Sequence, residues 1–427
     1  FDATMLVMGG IVGAGIFMSP HVVARHVQSP PLILGAWIAG GAVALIGAFV
    51  YAELAALRPA VGGVYAYIRD AFHPVAAFLY GWTLLLVVQS GGMAAVAVTF
   101  ARYFNELAGA TAPEHAIAVG ALVILTVVNW LGVRAGSNVQ NALMMAKILA
   151  ILTLVTMGWV AGGGQRAGGG VSASPSPGSF AAALVPVLFA YGGWQTASFV
   201  SGELDDPRRD LPRGLLVGIS GVVLLYLAVN VVCLRVLGPA GLAATPAPAT
   251  AVMRVALGDT GARLVAAAIA ISTIGFLSQS MLTAPRVYYA MARDGLFFRG
   301  VGSLHPRTRA PAAAIGLQGA VASGIAFLPY ERILNYVVAI DALFFGLTGA
   351  ALLVFRRRER SGTEPRVRTP GHPVTTIVFV TAFWLLALST VYQFPRDAGI
   401  GVLILAAGVP VYLFWVRKKA AQGNSIG

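Results

Sequence analysis

The stretch GGIVGAGIF, residues 9–17, lies inside the first long apolar segment of the chain and contains four glycines. Each glycine in a helix interior costs up to about 1 kcal/mol relative to alanine. In a membrane, backbone groups freed by a helix break are tolerated only where they line a cavity or are buried in protein. The stretch therefore predicts a helix that is interrupted near its middle.

The composition of the chain is that of a polytopic membrane protein. Of the 427 residues, 58% are hydrophobic and only 11% are charged, with a mean hydropathy of +0.79; a soluble domain carries roughly 25% charged residues. Apolar blocks such as residues 32–57 and 215–237 reach the length that a bilayer requires, about 20 residues. We predict an all-α integral membrane protein with twelve helices, at residues 4–25, 33–57, 75–104, 115–133, 138–161, 180–202, 213–236, 261–292, 310–328, 333–355, 373–393 and 397–416.

The net charge is +13. The distribution of the basic residues between the loops indicates the orientation of the chain in the membrane, and it does not point to a nucleic-acid partner. Of the 29 lysines and arginines, 20 fall in loops on one side of the predicted helices and eight on the other, and Lys147 lies within a helix. By the positive-inside rule, the richer side and both termini are cytoplasmic. We therefore expect a multi-pass protein of the plasma or inner membrane.

Two unusual loops divide the helices into blocks. The segment 162–179 is rich in glycine, serine and proline and is typical of a flexible linker, here on the extracellular side. The segment 356–372 is strongly basic and is predicted to be a cytoplasmic loop. The predicted organisation is a five-helix repeat at 1–161, the linker, a second five-helix repeat at 180–355, the basic loop, and terminal helices with a tail at 373–427. Because each block has an odd number of helices, the second is inverted relative to the first.

The sixth predicted helix carries the stretch FAYGGW, residues 189–194, so each block opens with a glycine-interrupted helix. Paired interruptions of this kind are typical of a transporter binding site at the membrane midplane. The alternative is that the glycines only allow close helix packing. At a break, the free N–H groups attract an anion and the free carbonyls attract a cation. An α-amino acid zwitterion carries both charges.

The sequence resembles the amino acid–polyamine–organocation transporters, most closely the L-type amino acid transporter-like branch. Besides the two glycine stretches, the resemblance is carried by YAELAALRPAVGGVYAYIRDAF, VQNALMMAKILAI, GELDDPRRDLPRG and ISTIGFLSQSMLTAPRVYYAMARDG. It implies a core of five plus five inverted helices with discontinuous helices one and six, followed by two further helices. It also implies that the substrate carboxylate is held by the backbone N–H groups of Gly13, Ala14 and Gly15. The substrate amino group would be held by the carbonyls of Ile11, Phe189, Ala190 and Gly192.

Three of these positions raise further expectations. Many relatives have serine where this chain has Ala14, so one hydroxyl hydrogen bond to the carboxylate is missing here. By the resemblance, Trp194 stands beside the site and the Phe189 ring acts as a gate. Ordinary helix packing is the alternative for both aromatic side chains.

Lys147 lies deep in an otherwise apolar helix, where a charge costs about 2.5–3.5 kcal/mol and needs a partner. The resemblance implies that this lysine replaces a sodium ion and bridges the first broken helix and helix eight at Ser272 and Thr273. We therefore expect sodium-independent transport.

Asp341 is the other ionisable residue deep in a helix. Three interpretations remain open for its carboxyl group. It binds a proton, it balances the charge of a cationic substrate, or it makes a hydrogen bond that packs helices together.

These observations predict an alternating-access secondary transporter of L-amino acids, preferably neutral ones, that works by exchange or by proton-linked uptake. The alternatives are a transporter of cationic amino acids or polyamines, and a channel-like facilitator. The sequence has no Walker loop, no G-x-S-x-G motif and no histidine pair with metal-ligand spacing, so we predict no enzymatic activity, cofactor or metal. Some relatives bind a glycoprotein through a cysteine in the loop after helix three. The corresponding loop here, 105–115, has none, so no disulfide-linked ancillary subunit is expected.

Overall fold

The computed structural model describes residues 2–58, 62–131, 137–162, 177–199, 206–303, 311–358 and 367–423. Its longer helices and helical fragments in the first half of the chain are α1 (Asp2–Ile11), α2 (Gly15–His26), α3 (Pro30–Leu57), α4 (Val64–Ala71), α5 (Pro74–Thr83), α6 (Gln89–Ala108), α7 (Glu114–Trp130) and α8 (Ser137–Ala161). Those in the second half are α9 (Pro177–Tyr191), α10 (Thr196–Phe199), α11 (Pro207–Ala244), α12 (Pro248–Thr283), α13 (Pro285–Arg293), α14 (Ala312–Ile325), α15 (Tyr330–Arg358), α16 (Val374–Gln393) and α17 (Pro395–Gly423).

The described residues form helices and connecting loops and contain no strand. Ten helical stretches are long and apolar enough to cross a membrane, and α7 and α14 are shorter apolar helices. Each of the twelve predicted ranges overlaps one of these segments. The predicted all-helical membrane protein is therefore confirmed.

The broken helices lie at the centre of the bundle. In the apolar window of the first span, which contains α1 and α2, 89% of the residues are buried inside the protein. In the last span, formed by α17, the share is 17%. Helix α1 packs on α11 and α8, whereas α2 packs on α9 and α11. The glycine-rich segment thus has protein, and not lipid, on most sides.

The structure also differs from the predicted regular helices at several positions. A further helical portion that starts at Pro248 precedes the predicted start at 261, and the chain turns between the two portions at Gly258, which has a left-handed φ of +67°. The sixth predicted helix is divided into α9 and α10, in agreement with the predicted interruption. A π-helical turn, Leu84–Val88, lies between α5 and α6, where the sequence predicted one regular helix.

Ion pairs join the helix ends on both faces of the bundle. On one face, the buried Glu53 carboxylate accepts hydrogen bonds from Arg356 Nε at 2.5 Å and from the Thr369 N–H at 2.6 Å. On the same face, Arg69 pairs with Asp294 at 2.7 Å. Burial lowers the pKa of Arg69, but its hydrogen bonds to Asp294 and Asp70 outweigh burial and raise that pKa overall.

The opposite face carries pairs at the other ends of the helices. They are Arg25 with Glu331, Arg102 with Glu114, Arg254 with Glu106, and Arg332 with Asp397. Residues 163–176 of the predicted linker and residues 359–366 of the predicted basic loop lie outside the described residues.

Candidate functional site

The two helix breaks meet at the centre of the protein, and glycines permit the contact. A Cβ atom added to Gly10 would lie 2.6 Å from the Thr196 hydroxyl oxygen and 2.9 Å from the Gly193 carbonyl oxygen. A Cβ added to Gly15 would lie 2.4 Å from the Ala190 Cα atom. Gly193 itself has a φ of +107°, in the region that favours glycine. The glycines therefore bring the backbones of the two broken helices into direct contact.

The first break, between α1 and α2, leaves unpaired backbone donors. The Gly13 N–H donates to the Ile11 carbonyl at 2.8 Å, and the same carbonyl accepts from the Tyr226 hydroxyl at 3.1 Å. The N–H groups of Ala14 and Gly15 donate to no acceptor within the described residues. These two donors stand at the N-terminus of α2, where the helix dipole favours an anion.

The second break, between α9 and α10, leaves unpaired backbone acceptors. The Phe189 carbonyl accepts a hydrogen bond from the Gly192 N–H at 3.1 Å, whereas the carbonyls of Ala190 and Gly192 accept none from the described part of the chain. The Gln195 side chain accepts from the Gly193 N–H at 2.9 Å and thereby caps the break. The C-terminal end of α9 is thus suited to a cation.

A cavity lies between the two breaks. Its volume is about 80 Å³, and because roughly 10–15 Å³ of such space holds one water molecule, it has room for about five to eight water molecules. Most of its wall is apolar, with Met93, Leu188, Val338 and Phe345 among the contributors. The polar side chains that line it are Gln89, Gln195, Thr196 and Asp341.

Most of the predicted site residues border this cavity. Those that line it are Ile11, Gly13, Ala14, Gly15, Phe189, Gly192 and Asp341. Ala190 and Trp194 are not part of the lining. Trp194 is buried just behind it, with its ring centroid 5.0 Å from that of Phe345, which does line the cavity. The Phe189 ring makes an edge-on contact with Tyr330, at 6.4 Å between centroids.

Lys147 reaches the first break from α8. Its Nζ atom donates to the Val12 carbonyl at 3.2 Å and lies 6.0 Å from the centroid of the Phe276 ring. Phe276 belongs to α12 and also lines the cavity. Ser272 and Thr273 are buried on the same helix, but no hydrogen bond joins them to Lys147 within the described residues; the Thr273 hydroxyl donates to the Ala270 carbonyl instead. Lys147 thus contacts helix α12 through an aromatic ring.

Sequence reasoning did not single out the two glutamines or Thr196. Gln89 follows directly on the π-helical turn, a local feature that is frequent at functional sites but has no sequence signature here. Gln195 and Thr196 follow the glycine pair of FAYGGW, so their proximity to the break was the available signal.

A cavity bounded by free donors on one broken helix and free acceptors on another fits a molecule with both charges. The family model for "Amino acid permease" matches residues 1–414. This chain belongs to that family. Its members are permeases and not enzymes, and the chain is accordingly a multi-pass membrane protein that transports amino acids.

Three curated relatives are similar over nearly the whole chain. "Asc-type amino acid transporter 1" of Mus musculus is 31% identical over 98% of this chain and 81% of its own length. "Large neutral amino acids transporter small subunit 2" of Homo sapiens is 31% identical over 100% of this chain and 82% of its own length. "Serine/threonine exchanger SteT" of Bacillus subtilis (strain 168) is 28% identical over 98% and 96%, respectively.

The contact between the broken helices gives a first prediction. In Gly15→Ala, the new methyl group meets backbone atoms of α9, so we expect a loss of about 1–3 kcal/mol in stability and a strong loss of transport. Thermal unfolding of the purified protein and amino acid uptake into liposomes measure both effects.

The matched control is Gly120→Ala in α7, where an added Cβ has no atom within 4 Å. This variant is expected to keep transport and to lose no stability, since alanine is the better helix former. Unchanged stability and uptake in Gly15→Ala would contradict the role given to this helix crossing.

Proposed function

We propose that the protein is an alternating-access secondary transporter of L-amino acids with neutral side chains. The observation that carries the proposal is the cavity between the free N–H groups of Ala14 and Gly15 and the free carbonyl of Gly192. The donors suit the substrate carboxylate and the carbonyls suit its ammonium group. The carbonyls of Ile11 and Phe189 already accept hydrogen bonds from the protein. They would bind the substrate only through a second lone pair of the carbonyl oxygen, or after one of these hydrogen bonds breaks.

Two features support small neutral substrates. The cavity wall is mostly apolar, and the volume of about 80 Å³ holds roughly five to eight water molecules, which suits a compact substrate. The names of the relatives mention neutral amino acids in one case and serine and threonine in another. Ala14 is buried at the cavity wall and has no hydroxyl group to offer the carboxylate, so we propose that backbone donors alone hold that end of the substrate.

We further propose the inverted five-plus-five arrangement with two terminal helices, in the plasma or inner membrane. The basic residues Arg69, Arg356 and Arg358 share one face of the bundle, which supports a cytoplasmic assignment for that face. We propose that both termini lie on this side. Cys233 is buried, which supports a transporter that acts without a disulfide-linked subunit.

Asp341 supports a second candidate, transport of cationic amino acids or polyamines. Its carboxyl group lines the same cavity and offers a counter-charge. Polyamines have no carboxylate, so they would leave the Ala14 and Gly15 donors without a partner. Competition of all twenty amino acids and several polyamines against labelled L-serine separates the candidates, and acceleration of uptake by internal substrate separates a carrier from a channel.

Sodium independence is the mechanistic part of the proposal. A sodium site needs several oxygen ligands, and here the Val12 carbonyl at the first break is already bound by the Lys147 ammonium group. The lysine supplies a fixed positive charge beside the break, and the Phe276 ring shields it from the cavity. No mobile cation is then required to hold the break in shape.

Amino acid exchange by the wild-type protein is expected not to require sodium. Exchange of L-serine across liposomes is expected to be unchanged when potassium replaces sodium on both sides. Lys147→Met is expected to reduce transport at least about tenfold because it removes the charge that braces the break. Leu149→Met on the lipid-facing side of α8 is the control and keeps transport. A strict requirement for sodium in the wild type would refute the proposal.

Gly92 lies where a larger side chain would reduce the size of the cavity. It lines the cavity from α6, and a Cβ added there has no atom within 4 Å. A Cβ added to its neighbour Gly91 would instead collide with Val337 at 2.4 Å. A methyl group at Gly92 would therefore project into space that the substrate side chain uses.

We predict that Gly92→Ala shifts specificity towards smaller substrates. One methylene in an apolar pocket changes discrimination by about 10–200-fold. The ratio of kcat/KM for L-leucine to that for L-alanine is expected to fall at least about tenfold. Gly316→Ala, which also has open space but lies on α14 away from the cavity, is expected to leave the ratio unchanged. An unchanged ratio in Gly92→Ala would show that this wall does not contact the substrate.

A further inference from the structure

Asp341 is the most unusual polar group in the membrane-buried part of the molecule. It lies on α15 and lines the substrate cavity together with Val338 and Ala342 of the same helix. Its carboxyl group makes no hydrogen bond and no ion pair to any of the described residues. The side chain is half-buried at the cavity wall, and carboxylates enclosed in a protein normally have such partners. A role limited to holding helices together is therefore not supported by its contacts.

The surroundings of Asp341 contain no compensating positive charge. Among the groups on neighbouring helices, Tyr51 of α3 and Tyr80 of α5 interact electrostatically with it, and both hydroxyl groups are neutral. Of the described residues, α16 contributes Phe383 and Leu386 to the cavity wall, and α9 contributes the apolar side chains of Leu188 and Phe189. On its own helix, the charged residues lie at the two ends. No arginine, lysine or histidine of the described residues faces the carboxyl group.

An ionised carboxylate in such a setting is costly unless a cation joins it. With the sodium independence proposed above, the cation is either part of the substrate or a proton. A neutral amino acid brings one ammonium group, and the free carbonyls of α9 already suit that group. A proton needs no further space in the cavity and no partner other than the carboxyl group.

We propose that Asp341 binds one proton in each transport cycle and so couples amino acid uptake to a proton gradient. This inference rests on the proposed function. Water on the side to which the cavity is open delivers the proton to a carboxylate oxygen of Asp341, and the neutral acid permits the apolar wall to close around a neutral substrate. After the cavity opens to the other side, the carboxyl group releases the proton to water there, together with the amino acid. In the empty carrier, water fills the cavity and solvates the ionised carboxylate while the protein returns to the first side.

The experiment uses purified full-length protein in liposomes with a pH-sensitive dye inside. In the wild type, external L-serine is expected to acidify the interior. An inward gradient of one pH unit is expected to drive accumulation of up to about tenfold, which corresponds to one proton per substrate. Asp341→Asn keeps the size of the side chain and imitates its protonated form. It is expected to lose acidification and gradient-driven accumulation, while exchange of internal for external L-serine continues.

The control is Asp397→Asn, which removes a carboxylate that is paired with Arg332 at a helix end outside the cavity. It is expected to retain both proton-driven accumulation and exchange. Exchange by wild type without any acidification would overturn the proton proposal and leave the transport function standing. Proton-driven accumulation at wild-type level in Asp341→Asn would overturn the assignment to this residue.

Two further outcomes separate the alternatives. Strong competition by L-lysine or L-ornithine that disappears in Asp341→Asn would assign the carboxylate to a cationic substrate, and the proton proposal would then be wrong. If the wild type neither exchanges nor accumulates any of the twenty amino acids, the proposed function itself fails.

Discussion

The contact between the two broken helices is the constraint on which the rest of the structure depends. Gly15 packs against the Ala190 backbone and Gly10 packs against Gly193, so a Cβ atom at either position would clash with the other broken helix. The helix breaks remove regular backbone hydrogen bonds inside a membrane protein, where each unsatisfied backbone group is strongly destabilising. The surrounding helices make this arrangement possible because they exclude lipid from the free backbone groups and turn them towards one cavity.

The charges of the site follow from this arrangement. The backbone supplies hydrogen-bond donors at the start of α2 and acceptors at the end of α9. In the proposed function, these groups bind the substrate zwitterion without a charged side chain. Lys147 binds the first break from outside the cavity, behind Phe276, whereas Asp341 lines the cavity itself. We propose different roles for the two residues. Lys147 is a fixed charge that stabilises the break, and Asp341 is an ionisable group that changes its protonation state during transport.

The sequence predicted the all-helical membrane fold because long apolar blocks are a direct consequence of bilayer thickness. It also located both breaks, from the glycine stretches at 9–17 and 189–194 together with the family resemblance, whereas the pairs Gly40–Gly41 and Gly91–Gly92 lie in unbroken helices. It did not reveal the π-helical turn before Gln89 or the extension of α12 to Pro248, because neither depends on a distinctive residue pattern. The engagement of the Ile11 carbonyl by Tyr226, 215 residues later in the chain, depends on tertiary packing that local patterns do not encode.

The central claim is that backbone groups at the two breaks recognise both charges of an amino acid. Inhibition of L-serine exchange by L-alanine, L-alaninamide and L-lactate tests it most directly, because the last two lack the carboxylate and the ammonium group, respectively. Hydrogen bonds to charged groups contribute about 1.5–3 kcal/mol, so each analogue is expected to inhibit at least about tenfold more weakly than L-alanine. Equal inhibition by L-alanine and either analogue would contradict the account.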